Sequence, residues 1–130
     1  MMKRIFGNKN EFDDNRPSYK KRFTSEERSR ESRHMLDKFP DRVPVIVQRK
    51  NKSDVSDIDK EKYLVPVDLS IGKFVYVIRK RINLTHEKAL YVFTNNTIPP
   101  TSATVGEIYL DQKDSDGFLY ITYASEQTFG

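Results

Sequence analysis

Phe129-Gly130 closes the chain directly after an aromatic-rich segment, Phe118-Leu-Tyr-Ile-Thr-Tyr123. Glycine has no Cβ, so a terminal glycine can pass through a narrow channel and present its carboxylate for activation and joining to an amine. By itself the feature is weak, because chains also end in glycine by chance or where they have been cut. Few other residues promise chemistry. There is no cysteine, which rules out a disulfide, a thiolate metal site and a thiol nucleophile. His34 and His86 are isolated in the sequence, so no metal site is expected. No Gly-rich phosphate loop and no paired acid and histidine cluster is present, and the chain reads as neither an enzyme nor a cofactor protein.

The tail must be carried by a folded unit, and 130 residues suffice for one domain with a single core. Apolar residues concentrate after residue 38. The charge is uneven too: residues 1–38 hold 11 Lys plus Arg against 7 Asp plus Glu, and residues 39–130 hold 12 of each. The excess therefore belongs to an N-terminal extension, whose basic character suits an acidic surface such as an anionic membrane, a cytoskeletal polymer or a nucleic acid. Nucleic acid is the weaker of these, since the arm interleaves few aromatic residues beyond Tyr19 and Phe23 with its cations. The start lacks the apolar run of a secretory signal, and no stretch approaches the roughly 20 apolar residues needed to span a bilayer. A cytoplasmic protein is expected.

The pattern predicts a disordered or loosely attached basic lead over residues 1–17, a helical arm over 18–38 and a folded domain over 39–130. Thr24 with Glu27 forms a capping-box pattern that opens a polar helix running to about Asp37. Met35 and Leu36 are its main apolar residues, so it should touch the domain only near its end. Val43 to Arg49 and Tyr63 to Val67 read as strands, and Pro44 and Pro66 imply that at least one of them has an exposed edge. Ser70 caps a helix that buries Ile71, Phe74, Val75, Ile78 and Ile82 on one face. A short strand, Ala89 to Phe93, follows; Thr104 with Glu107 opens a short helix to about Asp111. Asp114-Ser-Asp-Gly117 is a turn before the last strand, Phe118 to Tyr123. The order strand, strand, helix, strand, helix, strand is that of an α+β, ubiquitin-like β-grasp, here preceded by two short N-terminal helices.

Several longer motifs occur in one order: Phe39-Pro-Asp-Arg-Val-Pro-Val-Ile-Val47, Lys62-Tyr-Leu-Val-Pro66, Ile78-Arg-Lys-Arg81, Asn95-Asn96, Ile98-Pro-Pro-Thr-Ser-Ala-Thr104 and Phe118 to Tyr123. Together they resemble the ubiquitin-like autophagy modifiers, the family of autophagy-related protein eight, over residues 19–130. The resemblance implies that Gly130, with Phe129 before it as a recognition element, is activated by ubiquitin-type activating and carrier enzymes. It would then be joined to phosphatidylethanolamine on autophagosomal membranes, where two acyl chains give stable attachment. It also implies that cargo receptors with an aromatic and, three residues on, an aliphatic residue add as a strand to the second strand's edge. The aromatic pocket would comprise Glu31, Met35, Pro44, Ile46, Lys62, Leu64 and Phe118. The aliphatic pocket would comprise Tyr63, Val65, Pro66, Leu69, Phe74, Val77 and Arg81.

Without the resemblance, Ile46, Leu64 and Phe118 read as simple core, and Lys62, Arg49, Lys50 and Arg81 as solvated charge. The extension before Ser18 has no counterpart in the common members. Met35 stands where a branched aliphatic residue is usual, which would make the aromatic pocket more adaptable, and Val77 is smaller than the usual Leu or Ile, which would widen the aliphatic pocket. Most members carry residues after the glycine that a cysteine protease removes; a chain ending at Gly130 is the processed form, an engineered truncation or a product needing no processing. The competing reading is a non-conjugated peptide-binding adaptor, tethered to microtubules or another acidic polymer by its basic arm.

Overall fold

The computed structural model describes residues 17–50, 55–85 and 87–125. Phe129, Gly130, His86 and the lead before Pro17 lie outside them. The elements follow the expected order: α1 (Tyr19–Arg22), α2 (Ser25–Lys38), β1 (Arg42–Arg49), β2 (Lys62–Pro66), α3 (Ile71–Arg81), β3 (Leu90–Phe93), α4 (Val105–Gln112) and β4 (Leu119–Ser125). Each of the three longer starts is fixed by a hydroxyl. Thr24 and Thr104 both form full capping boxes with Glu27 and Glu107, and Ser70 accepts the Lys73 N–H at 3.1 Å. These satisfy helix donors that would otherwise have no partner.

The four strands form one sheet in the order β2-β1-β4-β3. β1 pairs antiparallel with β2, and parallel with β4; β4 pairs antiparallel with β3. First and last strands are thus central neighbours. Pro44 sits in a central strand without breaking it, because pairing with β4 begins only at Val45 opposite Leu119. At Pro44 the strand has a partner on one side only, so one missing donor does not interrupt the parallel ladder. Asn95 and Asn96 both take positive φ, 49° and 64°, in a two-residue turn closed by reciprocal Thr94 and Thr97 backbone bonds of 2.8 and 3.0 Å. This is the left-handed pair a tight hairpin requires.

The pleat divides the interior into two unequal parts. Val43, Val45 and Val47 of β1 and Tyr63 and Val65 of β2 join the main core beneath α3, with Phe74, Ile78 and Leu119. On the other face, Ile46 and Phe118 are fully buried under Tyr19, with Met35 and Tyr120 packed around them. That second cluster fastens the N-terminal helices to the sheet.

α2 differs from its expected docking. It is held along its length, and mainly by polar groups. Arg28 donates to Asp116 Oδ2 at 2.6 Å, and Ser32, 2 % exposed, donates to the Asp116 carbonyl at 2.5 Å. Gly117, at φ 91°, lies so close that a Cβ there would collide with Ser32 Oγ. A search for apolar periodicity cannot detect a helix that docks through an arginine, a serine and a glycine on the opposing turn.

Candidate functional site

β2 forms one end of the sheet, and among the described residues no strand pairs with its outer edge. Its unbonded backbone N–H and C=O groups are a template for an added strand. Successive side chains of a strand point to opposite faces. The register places Pro44 opposite Leu64 and Ile46 opposite Lys62 on the α2 face, and Val45 opposite Tyr63 and Val43 opposite Val65 on the α3 face. The two predicted residue sets are therefore brought to the same edge from opposite sides.

On the α2 face, Lys62 donates to Glu31 Oε2 at 2.7 Å, linking the β2 edge to α2. Both side chains remain near 40 % exposed. Burial would lower the Lys62 pKa, but its hydrogen bond and attraction to Glu31 outweigh this and hold it above the ordinary value. Leu64 and Met35 are half-buried, whereas Pro44, Ile46 and Phe118 are buried. Ile46 and Phe118 thus lie below the surface of this face, with Tyr19 packed edge-on over Phe118 at 5.5 Å. For these two residues the core reading holds.

On the α3 face, Tyr63 and Phe74 meet edge-to-face at 5.6 Å. Tyr63, Val65 and Phe74 are buried, Leu69 is half-buried, and Val77 and Arg81 are exposed; Pro66, half-buried, follows Leu64 by two residues and by register shares the α2 face. Arg81 pairs with Asp59 at 3.1 Å. Burial raises the Tyr63 phenol, and the nearby Arg81 charge partly offsets this. Among the described residues no group of acids and histidines could hold a metal, and no helix is long and apolar enough to cross a membrane.

Sequence reasoning missed the Asp116 junction. Its carboxylate accepts from Arg28, from the Phe118 N–H at 2.8 Å and from the Tyr120 hydroxyl at 2.5 Å. One buried side chain thus fixes both α2 and the start of β4, which carry Glu31, Met35 and Phe118 of the predicted aromatic set. The available signal is the Asp-Gly turn directly before Phe118, since an Asp side chain in a turn can accept backbone N–H groups two residues on.

The whole arrangement matches a known family. A family model described as "Autophagy protein Atg8 ubiquitin like" matches residues 27–130. The chain belongs to the Atg8 family. Among relatives of the Atg8 family, the sequence is 57 % identical over 113 residues to autophagy-related protein 8c of Arabidopsis thaliana, covering 87 % of this chain and 95 % of that one. It is 56 % identical to autophagy-related protein 8 of Kluyveromyces lactis, covering 87 % and 91 %. The crystal structure of Trypanosoma brucei ATG8 superposes with a TM-score of 0.81 at 43 % identity, over 85 % of this chain and 96 % of that one. Plasmodium falciparum Atg8, solved in complex with an Atg3 peptide from the same organism, gives 0.78 at 34 % identity, over 85 % and 99 %. The protein is a ubiquitin-like autophagy protein rather than an enzyme.

Proposed function

We propose that this Atg8-family protein is a modifier joined through Gly130 to phosphatidylethanolamine, and that its β2 edge then recruits receptors and adaptors with aromatic-x-x-aliphatic motifs. It would be cytoplasmic until conjugated, and then peripheral on autophagosomal membranes. The observation that carries the reading is the open β2 edge with one residue set on each face. In an extended strand, residues three apart point to opposite sides and lie about 10 Å apart. A motif with that spacing thus sends its aromatic residue towards Ile46 and Leu64 and its aliphatic residue towards Val65 and Val77.

Lys62 and Arg81 stand at the two sides of the edge and would draw acidic residues flanking the motif, raising on-rate and selectivity. That a structural relative was solved with an Atg3 peptide supports peptide capture and contact with the conjugation system. The partners proposed are activating and carrier enzymes, a cysteine protease that processes or releases the conjugate, and motif-bearing receptors. The adaptor reading is less favoured, because Arg28 of the basic arm is held in a largely buried pair with Asp116 and Arg22 bonds both carboxylate oxygens of Glu61.

Reconstitution tests this. With activating and carrier enzymes, ATP and vesicles containing phosphatidylethanolamine, the wild type should gain the lipid's mass and bring a fluorescent motif peptide to the vesicles. Gly130→Ala should do neither, and Leu64→Ala should conjugate but recruit poorly. Peptide recruitment undiminished in Leu64→Ala would refute the pocket, and an unmodified wild-type mass would refute conjugation.

A further inference from the structure

On the α4 side of the molecule, an apolar patch has no part in the β2 edge. Leu110 is 75 % exposed and Val67 37 % exposed. Val67 adjoins α4 at Gly106: the Gly106 N–H donates to the Val67 carbonyl at 2.9 Å, and Val67 Cβ lies 2.9 Å from where a Gly106 Cβ would be. Leu110 is one turn further along the same helix face, so its Cβ is within about 9 Å of that of Val67. The rim is mainly acidic. Asp68 and Asp111 are next to the patch residues in the chain, Glu107 follows Gly106, all three are exposed, and the Asp41 carbonyl accepts from the Val67 N–H. Two cations are near. Lys113 leans over the Tyr109 ring at 5.7 Å, and Arg42 is opposite Pro66.

The start of this same chain has the complementary composition. Residues 1–9 supply Met1, Met2, Ile5 and Phe6, with Lys3, Arg4 and Lys9 and no carboxylate. The chain also enters the fold in the right place, because Lys20 in α1 pairs with Asp114, two residues past the end of α4. The ten residues between Phe6 and Pro17 reach up to about 33 Å, whereas α4 is only about 12 Å long. A short tether gives the lead an effective concentration in the millimolar range at this face. We infer that residues 1–9 of the chain dock on the Val67–Leu110 patch of their own molecule, with Ile5 and Phe6 on the apolar centre and Lys3, Arg4 and Lys9 against the acidic rim.

The absence of cysteine makes the test direct. A nitroxide placed on Gly7→Cys in the full-length ¹⁵N-labelled protein should strongly broaden the amides of Val67, Asp68, Glu107, Leu110 and Asp111. Leu110→Gln, a change at an exposed position, should restore those signals, as should Ile5→Ser with Phe6→Ser. Signals that are unaffected, or broadened equally in Leu110→Gln, would overturn the inference. So would broadening that appears only between a nitroxide-bearing unlabelled chain and a separate ¹⁵N-labelled chain, which would identify a second copy as the occupant. Broadening seen only when anionic vesicles are added would overturn it in favour of a membrane role for the lead.

Discussion

Ile46 and Phe118 have no exposed surface, whereas Leu64 above them is half-buried, and this difference separates stability from binding at the residue scale. Ile46→Ala should destabilise the fold by about 2–5 kcal/mol through lost burial and a residual cavity, read as a lower urea midpoint. Leu64→Ala should leave that midpoint nearly unchanged and weaken motif-peptide affinity, measured by calorimetry. Asp116 belongs with the first kind. Removing it leaves the Arg28 guanidinium, a partly buried cation, without its acceptor and releases the Phe118 N–H and the Tyr120 hydroxyl. Asp116→Ala should therefore cost about 3–5 kcal/mol in denaturant unfolding, the range for breaking a buried pair from one side. A loss below that range would mean that Ser32, which donates to the Asp116 carbonyl, holds α2 without the carboxylate.

Elements with local signals were legible in the sequence. The Thr24, Ser70 and Thr104 caps start their helices as read, and the apolar spacing of Ile71, Phe74 and Ile78 places α3 on the core. Thr104→Ala should cost α4 about 1 kcal/mol, visible as faster amide exchange in its first turn. The docking of α2 was not legible, because it depends on contacts 84 to 88 residues apart in sequence between Ser32 or Arg28 and Asp116. No local period encodes such a partner. Proline logic was half sufficient: it foresaw an exposed edge, which is β2, but Pro44 lies in central β1, where pairing with β4 has not yet begun. The candidate site was legible as two residue sets through the resemblance. Their presentation from opposite faces of one edge needed the register, and the tail residues Phe129 and Gly130 lie outside the described structure.

At the scale of the molecule, the N-terminal helices and the sheet act as one body held by charge as well as by packing. Lys20–Asp114 and Arg22–Glu61, with Tyr19 wedged on Phe118, join α1 to the sheet's end. Burial alone would raise the Asp114 pKa, but the Lys20 hydrogen bond and the Asp116 N–H outweigh it and keep the carboxyl below its ordinary value. A depressed folded-state value means that the pair contributes fully above the unfolded carboxylate range and is lost as pH falls through the depressed one. Exchange of the α1 amides should therefore accelerate, after correction for intrinsic rates, as pH is lowered below the usual carboxylate range, and Asp114→Asn should remove that dependence. Strand pairing at the β2 edge can be measured with a single pair of peptides. Calorimetry should compare an aromatic-x-x-aliphatic peptide with the same peptide N-methylated at an amide facing β2. The first should bind measurably and the second should lose most of that affinity, since methylation removes a ladder donor without touching either side chain of the motif; equal affinities would rule out strand addition at β2.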